Sequence, residues 1–265
     1  MEWDVDAGSK TIERIEPILR ALEQGPEQGM SAAEIAAIAG FDKATTYRAL
    51  ASLSRIGLLD RDMQRRKFRL GIYLFNLGAV VARRFSVLAH ARQAIAQIAR
   101  ETGDTVFLSV RNKFDSVCVD CATGAYPIKA QTLTVGESVP LGVSAGGVAM
   151  LATMPDEEVR HAIQFNAIEI DKFRRVRPEQ VYHHVQLARE HGYAHYAGHV
   201  VAGMGAVARA IRNASGTGVA VISVTALLDR LSEQRVRFIN ELLETAVEEI
   251  EQRAMLMGNR LETLT

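Results

Sequence analysis

Lys43, Thr45, Thr46 and Arg48 sit near the start of one candidate helix, and Arg65, Arg66 and Lys67 at the tip of a candidate hairpin. Cationic side chains neutralise phosphates, and short polar ones reach base edges in a groove that admits a single helix by its first turns. Between Lys43 and Arg69 there are eight Lys or Arg against two Asp (Asp60 and Asp62), a local excess of six positive charges in a 265-residue chain whose formal charge is zero. So concentrated a patch attracts a polyanion and releases its counterions, which makes binding fall steeply with salt. Local charge is therefore more informative here than the overall balance, and it points to nucleic acid.

The elements that must hold these residues can be read from caps and breakers. Ser31 caps a first helix, with Glu34 three residues on reaching back to the cap amide, and Ile35 and Ile38 are expected as its buried stripe. Gly40 ends it, and Asp42 caps a second helix in which Tyr47, Leu50 and Leu53 are expected to face the core, leaving Lys43, Thr45, Thr46 and Arg48 outside that face. Gly57 stops the second helix, Leu58 and Leu59 begin a strand, and Phe68 and Leu70 alternate in the returning one, which places MQRRK at the hairpin tip. Ser9 to Glu23 supplies a preceding helix with Ile12, Ile15, Leu19 and Leu22 at helical spacing. Three helices and a basic hairpin in this order predict a winged helix-turn-helix that binds double-stranded DNA. A plain packing module with a solvated hairpin would need none of this sequence of caps and turns.

Two other sets of residues could do chemistry and are not expected to. Cys118 and Cys121 form a C-x-x-C, but Val117, Val119 and Cys121 alternate as in a strand, no second pair completes four ligands, and the thiols are expected to point to opposite edges; inert strand cysteines are predicted. His183, His184, His191, His195 and His199 crowd one stretch with no ligand spacing, and Gly192, Gly198 and Gly203 break any helix that could pair His195 with His199. Neither a metal nor another cofactor is expected. No apolar run reaches the length of a membrane span, and MEWDVDAGSK is acidic without an apolar core, so a cytoplasmic protein is expected.

Beyond Gly71, Leu74, Leu77, Val81, Phe85, Leu88, Ala91, Ile95 and Ile98 recur at three or four, predicting one broken or two successive helices that connect domains and offer a dimer surface. TVFLSVRN, FDSVCVDCATG and YPIKAQTL then read as strands, SAGGVAMLAT as a loop entering a short helix, and Pro155 and Pro178 as helix openings, the second helix closed by Gly192. Strands return in GYAHYA, MGAVARAI and TGVAVISVTA, and a helix from Ser232 to Met257 carries Val236, Ile239, Leu243, Val247 and Ile250 on one stripe. The expected fold is α+β: residues 1–70 a winged helix-turn-helix, 71–103 linker helices, and 104–265 an antiparallel sheet flanked by helices.

The chain resembles the IclR family of bacterial transcriptional regulators, most strongly in DKATTYRALASL, GLLDRD and FRLG, and further through ETGDTVFL, PLGVSAGGVAMLA, HGYAHY and GVAVISV. The resemblance implies a DNA-binding N-terminal domain, a linker helix that supports dimerisation, and a C-terminal GAF-like domain that binds a small effector. It further implies a homodimer or homotetramer on a pseudo-palindromic operator. Carried over position by position, it places effector contacts at Ala145, Gly146, Tyr196, Met204, Ala206, Ser223 and Thr225. Relatives commonly have a lysine where Val148 stands and acidic residues at Tyr196, Gly198 and His199, so fewer charged anchors remain and an aromatic or short-chain organic acid is the expected ligand. An enzyme acting on what this domain binds is the rival reading, but no G-x-S-x-G, phosphate loop, metal pattern or nucleophile with an evident base supports it. A DNA-binding protein whose second domain serves only for assembly is the other.

Overall fold

The computed structural model describes residues 12, 14–84, 86–130, 132–173, 176–198 and 200–256, and the chain divides after Arg84 into two compact units. In the first, α1 (Ile15–Glu23) and β1 (Met30–Ser31) precede α2 (Ala32–Ala39) and α3 (Lys43–Arg55), followed by β2 (Leu59–Asp62), β3 (Lys67–Leu70) and α4 (Ile72–Arg84). The three strands form an antiparallel sheet in the order β1-β3-β2. Ile18, Leu22, Met30, Ile35, Leu50, Leu53, Leu59 and Phe68 make its core.

Local chemistry fixes each boundary. The Ser31 amide donates to Glu34 Oε2 at 2.7 Å while the Glu34 amide donates to Ser31 Oγ at 3.3 Å, closing the capping box that opens α2. Gly40 ends that helix in the left-handed region at φ 73°, and Asp42 Oδ1 accepts the Thr45 amide at 2.8 Å to open α3. Gly71 is fixed by a close approach: a Cβ there would lie 2.3 Å from the Gly57 carbonyl oxygen. Two expected stripes are drawn differently, since Ile12 and Ile38 are exposed and Ile18, between the expected positions, is fully buried. The predicted start of the first helix at Ser9 lies outside the described residues.

The second unit opens with α5 (Ser86–Thr102) and continues through β4 (Thr105–Asn112), β5 (Asp115–Thr123), β6 (Ser138–Pro140), α6 (Ala145–Leu151), α7 (Asp156–Phe165), α8 (Ala167–Asp171), α9 (Pro178–His191), β7 (Ala194–Ala197), β8 (Met204–Arg212), β9 (Gly218–Leu227), a 3-10 turn (Leu228–Arg230) and α10 (Glu233–Leu256). Six antiparallel strands run in the order β6-β5-β4-β9-β8-β7. One sheet face packs Val106, Leu108, Ile222 and Val224 on α5 and α10, whose expected stripe of Val236, Ile239, Leu243, Val247 and Ile250 is buried throughout. Within α5, Ala91, Ile95 and Ile98 are buried in this same cluster. The opposite face carries Tyr196, Ala208 and Val221 beneath α6 to α9. No helix among the described residues is long and apolar enough to cross a membrane.

Two expectations about this unit are corrected. Among its described residues YPIKAQTL forms no strand: Pro127 lacks a ladder donor, Ile128 is exposed, and residues 126–130 run as a loop held by the Tyr126 amide on the Gly103 carbonyl at 2.9 Å. The cysteines do sit in a strand, but they do not face opposite ways. Ser109 pairs with Cys118 and Phe107 with Cys121, so one extra residue bulges out of β5 between them and returns Cys121 to the face that Cys118 occupies. The short β6 and α8 were not anticipated from the sequence.

Candidate nucleic-acid interface and ligand cavity

The outer surface of α3 and the β2-β3 hairpin carries the charge. Lys43 and Arg48 are exposed, Thr45 is half-buried, and Arg48 Nη2 lies 3.4 Å from Thr45 Oγ1. Thr46 is a correction: it is fully buried, its hydroxyl donating to the Asp42 carbonyl at 3.0 Å, so it holds the helix start instead of facing a groove. At about 100° per residue Thr46 falls within roughly 40° of both Leu50 and Leu53, whereas Tyr47 is turned away from Leu53 by about 120°. Tyr47 accordingly stands exposed, and the Arg61 guanidinium lies 5.6 Å from its ring centroid and 5.5 Å from that of Phe68. This contact joins the hairpin to α3.

At the hairpin tip Asp62 Oδ1 accepts the amides of Gln64 at 3.0 Å and Arg65 at 2.9 Å, and Arg66 adopts the left-handed conformation at φ 53°. Those amide bonds, the Arg65 one foremost, hold the Asp62 carboxyl below its usual range. Arg65 and Arg66 are exposed and Lys67 is half-buried. Three cations are thereby presented on a turn whose shape is set by one aspartate.

In the second unit the sheet, α6 and the loops around them enclose a cavity of ≈ 80 Å³. All seven residues singled out from the resemblance, Ala145, Gly146, Tyr196, Met204, Ala206, Ser223 and Thr225, line it. The register explains why. Tyr196 on β7, Ala206 on β8 and Thr225 on β9 are successive cross-strand partners, and Ser223 lies two residues further along β9 on the same face. Gly146 lets α6 lie close to β9, where a Cβ at this position would stand 3.2 Å from Val221 Cγ1. Ser144 caps the helix, its hydroxyl accepting the Gly147 amide at 3.1 Å. The buried Tyr196 hydroxyl donates to the Gly142 carbonyl at 3.1 Å, and burial pushes its phenol above the ordinary range.

The wall also contains residues that the sequence reading passed over. Phe107, Ser109, Ser116, Leu133, Val139 and Phe173 contribute to it. Phe107 and Ser109 could have been found from the two-residue period of TVFLSVRN, and Leu133 could not, because its segment is irregular. Glu137 is the one ionisable carboxylate among the described lining residues, and no Lys, Arg or His is among them. Its carboxylate accepts the Thr134 amide at 2.9 Å and hydroxyl at 3.1 Å.

The other candidate clusters stay apart. Cys118 is buried and its thiol is pushed up to about 11, chiefly by desolvation, so it is protonated at neutral pH. His184 packs edge-on against Tyr196 at 4.6 Å, and His199 lies outside the described residues. Among the described residues no three His, Cys, Asp or Glu side chains are grouped to hold a metal ion.

A basic winged helix in one unit and a small cavity on a six-stranded sheet in the other define a DNA-binding regulator with a sensor domain. Residues 11–63 match the IclR helix-turn-helix domain, and residues 79–252 match the C-terminal domain of the bacterial transcriptional regulator IclR. The chain belongs to the IclR family of transcriptional regulators. It is 24% identical over 243 residues to the HTH-type transcriptional regulator KipR of Bacillus subtilis, covering 91% of this chain and 96% of that one. It is 27% identical over 247 residues to the HTH-type transcriptional repressor AllR of Escherichia coli K12, covering 92% and 89%. Among solved structures, an IclR transcriptional regulator from Alicyclobacillus acidocaldarius superposes with a TM-score of 0.77 at 24% identity, covering 92% of this chain and 98% of that one. An IclR homolog from Microbacterium hydrocarbonoxydans, complexed with 4-hydroxybenzoate, gives 0.75 at 20% identity, with 91% and 98% covered.

Proposed function

We propose that this protein binds an operator through α3 and the wing, and that a small organic ligand in the sheet cavity changes its affinity for that operator. On this reading residues 1–70 are the DNA-binding domain, 71–103 the connecting helices and 104–265 the effector domain. Lys43, Thr45 and Arg48 approach the bases and nearby phosphates, and Arg65, Arg66 and Lys67 take phosphates beside the groove. Ala145, Gly146, Tyr196, Met204, Ala206, Ser223 and Thr225 contact the ligand. An organic acid fits the family, one neighbour being named as a 4-hydroxybenzoate complex.

The observation that carries the reading is the gathering of seven residues, scattered from 145 to 225, around one cavity in the unit that follows the winged helix. A ligand acts only by binding two arrangements of the protein unequally. The regulator is expected to work in the cytoplasm as a homodimer or homotetramer, because two recognition helices match two half-sites. A mobility-shift titration on the gene's own promoter region, with and without candidate acids, tests it. Absence of a retarded band under every condition would overturn it.

A further inference from the structure

Tyr47 projects from α3 with nearly half its surface open and its hydroxyl without a partner among the described residues. At about 100° per residue it lies between Lys43 and Arg48, roughly 40° from the first and 100° from the second. Ala44 and Ala51 are exposed on the same side, and neither is long enough to screen the ring from a surface that meets α3. Arg61 on β2 holds this ring from the hairpin side, its guanidinium lying 5.6 Å from the Tyr47 centroid and 5.5 Å from that of Phe68, its cross-strand partner. Arg61 is itself exposed and makes no ion pair among the described residues, so its N–H groups stay available while two rings fix its position. A clasp that served packing alone would need neither a half-open ring nor a cation without a counterion.

From this pair we infer that Tyr47 is a specificity-determining residue of the DNA interface: its ring covers the 5-methyl group of a thymine in the major groove, while Arg61 holds the ring in place and bonds the phosphate beside that base. The inference rests on the reading of α3 and the wing as the operator-binding face. Among the four bases only thymine offers a methyl group in the major groove, and its burial against an apolar ring is favourable. Lys43 and Arg48 end in cationic groups that suit polar base edges and phosphates, and they have no apolar end to make the same distinction. Because Arg61 fixes the ring before any encounter, little freedom is lost when the methyl group is covered. Arg61 is thus a positioning residue for Tyr47 as well as a phosphate ligand.

Sites selected from a randomised duplex library by the full chain supply the probes. Each thymine of the enriched half-site is then replaced in turn by uracil, which pairs alike and lacks only the methyl group. At one or two positions the wild type is expected to bind the uracil duplex about three- to fivefold more weakly, the ratio that burying one methyl group gives. Tyr47→Phe should keep that ratio and Tyr47→Ala should bring it to one, with circular dichroism confirming that each variant is folded and Tyr47→Gln standing in should the alanine variant fail to fold. Arg61→Gln should shrink the ratio and lower the salt slope of binding by about one. Equal binding of thymine and uracil duplexes at every position, or an enriched half-site without thymine, would overturn the inference and leave the DNA-binding face as assigned. So would a ratio that persists in Tyr47→Ala or disappears in Tyr47→Phe, and an Arg61→Gln protein with ratio and slope unaltered would overturn the part given to Arg61. If no duplex is enriched, the reading of that face fails and the inference with it.

Discussion

Arg230 Nε donates to Asp104 Oδ1 at 2.9 Å, and Arg235 Nη2 donates to Oδ2 of the same carboxylate at 3.0 Å. Asp104 is almost fully buried, whereas each arginine keeps about a quarter of its side chain exposed, Arg230 lying 3.7 Å from the Tyr126 ring centroid. Both guanidiniums also donate to the Thr102 carbonyl at the end of α5. One carboxylate therefore ties the end of α5, the turn after β9 and the start of α10 together. Asp104→Ala should cost about 2–4 kcal/mol, because it strands two cations against unfilled space. The midpoint of urea unfolding measures it, and a change within error of zero would refute the assignment.

Arg48→Ala should weaken operator binding by about 1–3 kcal/mol while leaving the fold and assembly state unchanged. Replacing Arg65 and Arg66 together should flatten the dependence of binding on salt more than it alters sequence preference. Titrations at several salt concentrations separate the two. An unaltered slope would remove the wing from the interface.

Acid should loosen the winged helix. Glu34, Asp42 and Asp62 all have carboxyls held below their ordinary values of 4.5, 3.8 and 3.8 by hydrogen bonds to backbone or side-chain groups of Ser31, Thr45 and Arg65. A depressed folded value means that the stabilisation is complete above the ordinary value and disappears as pH falls through the lower one. Operator binding and helix content should hold from neutrality to about pH 5 and decline below about pH 4. A Glu34→Gln, Asp42→Asn variant should show a shallower acid limb, with the part due to Asp62 remaining.

On the proposed homo-oligomeric reading, Phe75→Glu should dissociate the protein. Ile72, Phe75 and Val80 of α4 are at least half exposed, with Tyr73 and Leu77 also open, an apolar face that a second copy would cover. Light scattering would show a smaller species, and operator affinity would fall with it. An unchanged mass would place the assembly contact elsewhere.

Cys118 should resist alkylation in the folded protein at pH 7–8, since burial pushes its thiol up to about 11, and react once the chain is unfolded. Mass spectrometry after iodoacetamide treatment distinguishes it from Cys121. Rapid modification of Cys118 under native conditions would contradict its burial.

Caps and turns were the most legible features, because each is a local interaction between residues a few positions apart. Ser31 with Glu34, Asp42, Gly40 and Gly192 all behave as their chemistry dictates. The choice between Thr46 and Tyr47 for the inner face of α3 was not legible from hydrophobicity, since the small polar residue goes inside by bonding its hydroxyl to the backbone. The bulge in β5 left no trace in the alternation of Val117, Val119 and Cys121, being fixed by pairing with β4. Ser109 and Ser116 escaped notice for a similar reason. Isolated serines in apolar strands announce nothing until the register aligns them.

The contact of Arg61 with both Tyr47 and Phe68 bears on how the protein meets a duplex. A wing clasped to its neighbouring helix has its reach set before any encounter. Little ordering is then left for the moment of docking, and the distance between groove and flank becomes a fixed gauge against which a curved or widened duplex must conform.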